Sequence, residues 1–195
     1  MKIRRKVRKI SLCFVALAWL VGCKEEYTPK PRGYFRLEVP DSTYSRFSPG
    51  NCPYSFEMNN TAQWIDKTHC WGDVYYPSIK ARMQLTYKPV NPDNLDTLLR
   101  DGQELAMKHQ VKADGMQERL YQNPEQSVYG ILYRIQGDAA TSTQFFVTDS
   151  VDHFLRGVLY FYAPPNADSL KPVNDFMYDE TVRLVETLQW QNWSP

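Results

Sequence analysis

The chain has 195 residues, 43% hydrophobic and 14% aromatic, enough to fill a core and to exclude intrinsic disorder. Its 23 basic and 22 acidic residues are unevenly placed, because six of the bases lie within Met1–Lys9. Beyond residue 22 the balance is 17 against 22, a net charge of −5, which excludes the basic footprint of a nucleic-acid-binding protein.

After the basic "MKIRRKVRK", about a dozen mostly apolar residues run from Ile10 to Val21. A bilayer span needs roughly 20. A basic start, a short apolar run and small residues at its end describe a secretory leader. The run stops at Leu20-Val21-Gly22-Cys23, the pattern of a bacterial lipobox. In that chemistry Cys23 receives a diacylglycerol on its sulfur, becomes the first residue after cleavage, and has its amine acylated, commonly with palmitate. The competing readings are an ordinary leader with an incidental cysteine, or an uncleaved anchor. Each acyl chain adds about 0.8 kcal/mol of membrane affinity per buried CH₂. The acidic remainder is weakly repelled by anionic headgroups, so the lipid has to supply the attachment.

The expected organisation is a signal peptide over 1–22, a lipidated Cys23 with a proline-rich tether over 23–32, and a single α+β domain over 33–195. Pro29 and Pro31 keep the tether extended. The expected location is the cell envelope, anchored to a membrane and facing the periplasm. "KEE" after Cys23 also resembles the signal that sends some Bacteroidota lipoproteins to the cell surface.

With Cys13 in the leader and Cys23 lipidated, Cys52 and Cys70 are left, in a compartment that permits disulfides. A bridge would close a loop of about 18 residues, worth on the order of 3 kcal/mol. Two buried thiols are the alternative. His69 adjoins Cys70, yet no further ligands stand at zinc-binding spacing, so no metal is expected.

"GYFRLEV" (Gly33–Val39) alternates as an edge strand does. "YSFEM" and "DVYYPSIKARMQLTYKPV" are β-rich, Ile79, Ala81, Met83 and Leu85 alternating with Lys80, Arg82 and Gln84. A helix is predicted over "NPDNLDTLLRDGQELAMKHQVKAD", with Leu95, Leu98, Leu99, Gly102, Ala106, His109 and Ala113 on its inner stripe. Strands follow in "MQERLYQ", "SVYGILYRIQG", "STQFFVTD" and "HFLRGVLYFYAP", the last apolar on both faces and therefore covered on both. A second helix is predicted over "DSLKPVNDFMYDETVRLVETLQW", with Val173, Phe176, Met177, Leu184 and Leu188 inward and Pro172 in its first turn. "PVNPDNL" and "PPNADSL" mark two similar strand-to-helix exits, about 75 residues apart, with capping chemistry.

The expected fold is thus α+β: a largely antiparallel sheet covered by two helices, an α/β/α sandwich. Its element order resembles the PsbP/Mog1-like group, a likeness that carries little functional information.

"TPKPRGYFRLEVP", "NCPYSFE", "YKPV", "VYGILYRIQGDAATSTQFFVTDS" and "HFLRGVLYF" resemble the gliding motility lipoprotein GldD family of Bacteroidota. The resemblance runs through most of the chain after Cys23 and includes the lipobox. It implies an envelope lipoprotein needed for gliding, working with the motility machinery and its type IX secretion proteins. It brings no catalytic motif, no cofactor and no agreed biochemical activity.

The residues themselves also argue against an enzyme. There is no G-x-S-x-G, no H-E-x-x-H and no phosphate-cradling glycine loop. His69, His109 and His153 fall in different elements. Ser150, Asp152 and His153 share one turn and cannot line up as nucleophile, orienter and base. Asp179, Glu180 and Glu186 read as a solvated helix face. No cofactor and no small-molecule substrate is evident.

A binding module is a stronger reading than an enzyme, the alternative being that the aromatic residues simply fill a small core. "QWIDKTHCWGDVYYP" (Gln63–Pro77) gathers Trp64, His69, Trp71, Tyr75 and Tyr76 beside a disulfide end. A braced aromatic loop lowers the ordering cost of binding, so these five are the candidate partner interface. "WQNWSP", with Trp190 and Trp193, is a less constrained one. The alternative function is glycan or peptidoglycan recognition by tryptophan stacking; an envelope hydrolase is a third.

Overall fold

A computed structural model describes residues 40–108, 113–137, 139–162 and 167–191. These all belong to one compact unit, Phe35–Pro195. The leader, Cys23, the tether, the Gly33–Val39 strand, His109 and Trp193 lie outside the described residues, as does the Pro164–Asn166 part of the second strand-to-helix exit.

Alternation of apolar and polar residues produces two antiparallel sheets. The larger has seven strands in the order β3-β4-β5-β9-β8-β7-β6: β3 (Gln63–Asp66), β4 (Gly72–Tyr76), β5 (Ala81–Pro89), β6 (Gly115–Asn123), β7 (Val128–Gln136), β8 (Thr143–Thr148) and β9 (His153–Phe161). The smaller joins β1 (Tyr44–Phe47), β2 (Tyr54–Asn59) and β10 (Gln189–Trp190), with β2 central. β5 and β9 pair along their whole length, from Ala81 opposite Phe161 to Pro89 opposite His153. All six residues of β8 are buried, as expected of a strand covered on both faces.

Each face has its own helix. α1 (Leu95–Met107) follows β5 and packs through Ala106 and its leucines on Tyr133, Phe146 and Phe154. Gly102 permits the close approach, since a Cβ there would sit 2.9 Å from the Phe146 ring. Asn94 precedes α1 without capping it; its side chain accepts from the Asn91 N–H and donates to the Pro89 carbonyl, so it shapes the exit turn instead. α2 (Ala167–Glu186) and the small sheet cover the opposite face. Val173, Phe176, Met177, Leu184 and Leu188 join Tyr54, Phe56, Met83, Leu85, Leu155 and Leu159 there in the main core.

Three readings of the second helix are corrected. It stops at Glu186 rather than running on to Trp190. Thr187 ends it: its hydroxyl donates to the Arg183 carbonyl and accepts from the Glu57 N–H of β2, while Arg46 of β1 donates to its carbonyl. These side-chain bonds replace helical ones at a terminus, and the chain turns into β10. Pro172 sits inside the helix, beyond its first turn.

The third correction concerns Glu180, which is not on a solvated face. It lies 7% exposed on the inner stripe, with Met177 and Leu184 on either side in sequence. Its carboxyl accepts hydrogen bonds from Tyr44 (2.6 Å), Tyr76 (2.7 Å) and the Asn59 amide (3.4 Å). One group on α2 is thereby fastened to β1, β2 and β4. Burying such a group is tolerated only with several donors around it.

Glu180→Ala, which leaves the Tyr76 hydroxyl and Asn59 amide without this acceptor, is expected to lower the unfolding free energy by about 2 kcal/mol or more in urea. Glu180→Gln, which keeps one acceptor oxygen, is expected to lose less.

Burial raises several tyrosines above the ordinary value of about 10. Tyr87 and Tyr133 are pushed up to about 12, first by burial and then by nearby acidic groups, Asp149 and Asp152 for the one and Glu118 for the other. Tyr54 and Tyr76 are also raised, first by burial, with Glu180 beside Tyr76. A folded state that holds the phenol proton more tightly than the unfolded state keeps this stability below about pH 10 and loses it as pH rises through 10 toward 12. Tyrosinate absorbance should therefore rise in two stages, the buried tyrosines titrating together with loss of the fold above about pH 11. Independent titration of every tyrosine near pH 10 would contradict this packing.

Candidate functional site: an aromatic groove beside the disulfide

Cys52 and Cys70 are bonded, with their Cα atoms 5.4 Å apart. The bridge ties the segment before β2 to the turn between β3 and β4. That turn is tight: the Lys67 N–H donates to the Trp71 carbonyl and the Trp71 N–H to the Thr68 carbonyl. His69 (φ 63°) and Cys70 (φ 58°) are both left-handed, which residues with a Cβ adopt only at a cost. The disulfide and a hydrogen bond from the Tyr54 hydroxyl to the Cys70 carbonyl (2.8 Å) hold them there.

This turn walls a groove of about 510 Å³, lined by His69, Cys70, Trp71, Tyr87, Lys88 and Pro89. The Trp71 indole N–H donates to the Tyr87 carbonyl at 2.7 Å, locking the ring against β5. The Lys88 ammonium lies 5.0 Å from the centre of that ring, and His69 approaches it edge-on at 6.3 Å. Tyr87 and His153 Nδ1 share a hydrogen bond of 2.9 Å. His153 in turn stacks on Trp190 (5.0 Å, 18° between planes), whose N–H donates to the Ser127 carbonyl. The result is a rigid aromatic border with a cation and an imidazole at its rim.

The five residues proposed from sequence do not form one surface. His69 is exposed and Trp71 half-buried at the groove. Trp64 is half-buried on β3, against Phe47 (5.3 Å) and over Gly72, where a Cβ would fall 2.0 Å from its ring. Tyr76 lies in the core on Glu180. Tyr75 points to the other face of β4, beside the Arg82 guanidinium (5.6 Å). Strand alternation separates Tyr75 from Tyr76. Four residues of the site escaped sequence reasoning: Tyr87, Lys88, Pro89 and His153. They reach Trp71 only through the pairing of β5 with β4 and β9.

Geometrically this is a two-sheet α+β domain with a braced, polar-rimmed aromatic recess, a form suited to binding. By sequence, the chain belongs to the gliding motility lipoprotein GldD family, whose profile matches residues 24–190. No match was found among curated proteins. Among solved structures the chain is similar to cyanobacterial PsbP (CyanoP) from Synechocystis sp. PCC 6803, at 11% identity and a TM-score of 0.45. That match covers 78% of this chain and 95% of that one.

Replacing both Cys52 and Cys70 by serine should lower stability by about 3 kcal/mol in denaturant titration. It should also shift Trp71 emission toward that of exposed indole as the left-handed turn relaxes. A double variant with unchanged midpoint and spectrum would show that the bridge does not brace the groove.

Proposed function

We propose that this protein is a lipid-anchored, non-enzymatic subunit or assembly factor of the gliding and type IX secretion apparatus, and that its aromatic groove receives a protein partner. The supporting layout is a leader over 1–22, lipid on Cys23, a tether to residue 32 and a binding domain from 33 onward. The family match begins immediately after Cys23 and extends to Trp190.

The observation that carries the binding reading is the groove's internal wiring. The Trp71 N–H, the Tyr87 hydroxyl and His153 Nδ1 are all engaged within the protein. Groups engaged in this way hold the rings of a contact surface in place. Tryptophan and tyrosine anchors in a well-packed recess are characteristic of protein–protein hot spots. Glycan stacking is less well supported. A sugar needs a free indole face, whereas Lys88 lies over Trp71 and Gly72 and Phe47 pack against Trp64.

Cys23→Ser should release the protein from membranes and abolish gliding. A photo-crosslinking residue at His69 or Lys88 should trap one defined protein in living cells, and one at Leu120, exposed on β6, should not trap that protein. Retention by purified cell wall, lost on Trp71→Ala, would replace the protein partner with a glycan.

A further inference from the structure

Two further features lie away from the aromatic groove. One is a cavity of about 320 Å³ at the strand ends remote from His153, between the β7–β8 hairpin and α2. Its charged walls already meet one another, since Arg134 and Lys171 both donate to the Asp175 carboxylate. The other is the outer edge of β6, the last strand of the seven-stranded sheet.

A sheet edge offers unpaired N–H and C=O groups to any strand that approaches. Folds guard such edges by keeping them short, or with bulges, prolines or lysines. The other edge strands among the described residues are short: β1 and β3 have four residues and β10 has two. β6 has nine, Gly115–Asn123, with neither proline nor lysine. Its one arginine is drawn toward Glu186 of α2, at 3.6 Å. β6 pairs with β7 residue for residue, from Gly115 opposite Gln136 to Asn123 opposite Val128, so no bulge turns the edge away. Gln117, Glu118, Arg119 and Leu120 are all exposed, which leaves the middle of the strand uncovered on both faces. Leu120, at 67%, is the most exposed large apolar side chain among the described residues.

The direction of the free groups follows from the ladder. The Ile135 N–H donates to the Ser142 carbonyl, on the β8 side of β7. Main-chain direction alternates along a strand, so residues 130, 132, 134 and 136 turn toward β6 and meet 121, 119, 117 and 115. The N–H and C=O groups of Met116, Glu118, Leu120 and Gln122 therefore point outward, and the described residues supply no strand beyond them.

We propose that β6 pairs edge to edge with β6 of a second copy of this chain, antiparallel about a two-fold axis at Leu120. Such an axis stands perpendicular to the joined sheet and keeps each face on its own side, so only registers centred on a residue are open. An axis at Glu118 or Arg119 sets like charges directly opposite each other, which is destabilising. An axis at Tyr121 shortens the ladder, because it brings Glu118 against Pro124, which has no N–H. The axis at Leu120 pairs leucine with leucine, Arg119 with Tyr121, Glu118 with Gln122 and Gln117 with Asn123. Every pair is then apolar, cation-on-aromatic or hydrogen-bonding. Leu120 with its own copy, and Glu118 with Gln122 on either side of it, each exchange two main-chain hydrogen bonds. The most exposed leucine is covered by the same contact.

Disulfide trapping of the full chain in living cells tests the register. Leu120→Cys should form a covalent dimer under mild oxidation, read on a non-reducing gel against the parent chain treated in parallel, because the axis brings its two copies together. Gln117→Cys should not, since the same register holds its two copies about 20 Å apart. Light scattering of the purified full chain in detergent should show a dimer. Leu120→Lys, which sets two ammonium groups face to face, should weaken that dimer at least about ten-fold while leaving the unfolding midpoint of the dilute monomer unchanged. The proposal is overturned by a parent chain that stays monomeric, by trapping at Gln117→Cys in place of Leu120→Cys, or by an undiminished Leu120→Lys dimer. A photo-crosslinking residue at Leu120 that captures a different protein would also overturn it, assigning the edge to that protein's strand. None of these outcomes depends on what the aromatic groove binds.

Discussion

The architecture hangs on a carboxyl group placed where apolar side chains would be expected. Glu180 sits in the seam between the two sheets and takes donors from β1, β2 and β4. An isolated acid in that position is costly, so α2 can dock in only one rotation and one register. That register places Leu188 in the core and brings Thr187 to the β2 backbone. The chain beyond then has one course open to it, pairing with β2 as β10. Trp190 is carried along and lands on His153. A polar contact in the middle of the molecule thus sets the Trp190–His153 stack, whose imidazole is hydrogen-bonded to Tyr87 of the groove.

The groove itself depends on covalent restraint. Two consecutive left-handed residues with side chains make a turn that a free chain would relax. The Cys52–Cys70 bond and the Tyr54 hydroxyl hold it in that form. Trp71 is then held by its own indole hydrogen bond rather than by packing alone. A contact surface whose aromatic rings are already oriented loses little entropy when it meets its partner. That rigidity suits the binding role proposed for the groove.

The two recesses differ in chemistry as they differ in place. The groove is mainly aromatic, with its polar atoms satisfied internally. The cavity at the other strand ends has charged walls, Arg134 on β7 and Lys171 and Asp175 on α2. The long β5–β9 ladder underlies both ends, and its core-facing side chains are close-packed. A stiff sheet of this kind can present two surfaces without either distorting the other.

Much of this was legible along the chain. Alternation located β2 and β4 to β9, the 3.6-residue stripe located both helices, and a pair of cysteines left over from the leader pointed to the disulfide. These are local signals, set by side-chain periodicity within a few residues. The small sheet was not legible, because β10 is two residues long and exists only where α2 releases it beside β2. Nor was the role of Glu180, since a carboxyl on a helix reads as solvated until its neighbours across the core are known. The groove was half legible. His69 and Trp71 are near neighbours in sequence, while Lys88 and His153 join them through strand pairing across 17 and 82 positions from Trp71. The sequence by itself determined most of the strands, both helices, the class of fold and the family; only tertiary structure decided which polar groups would meet, because hydrogen bonds and recesses form between residues whose separation along the chain carries no record of their distance in space.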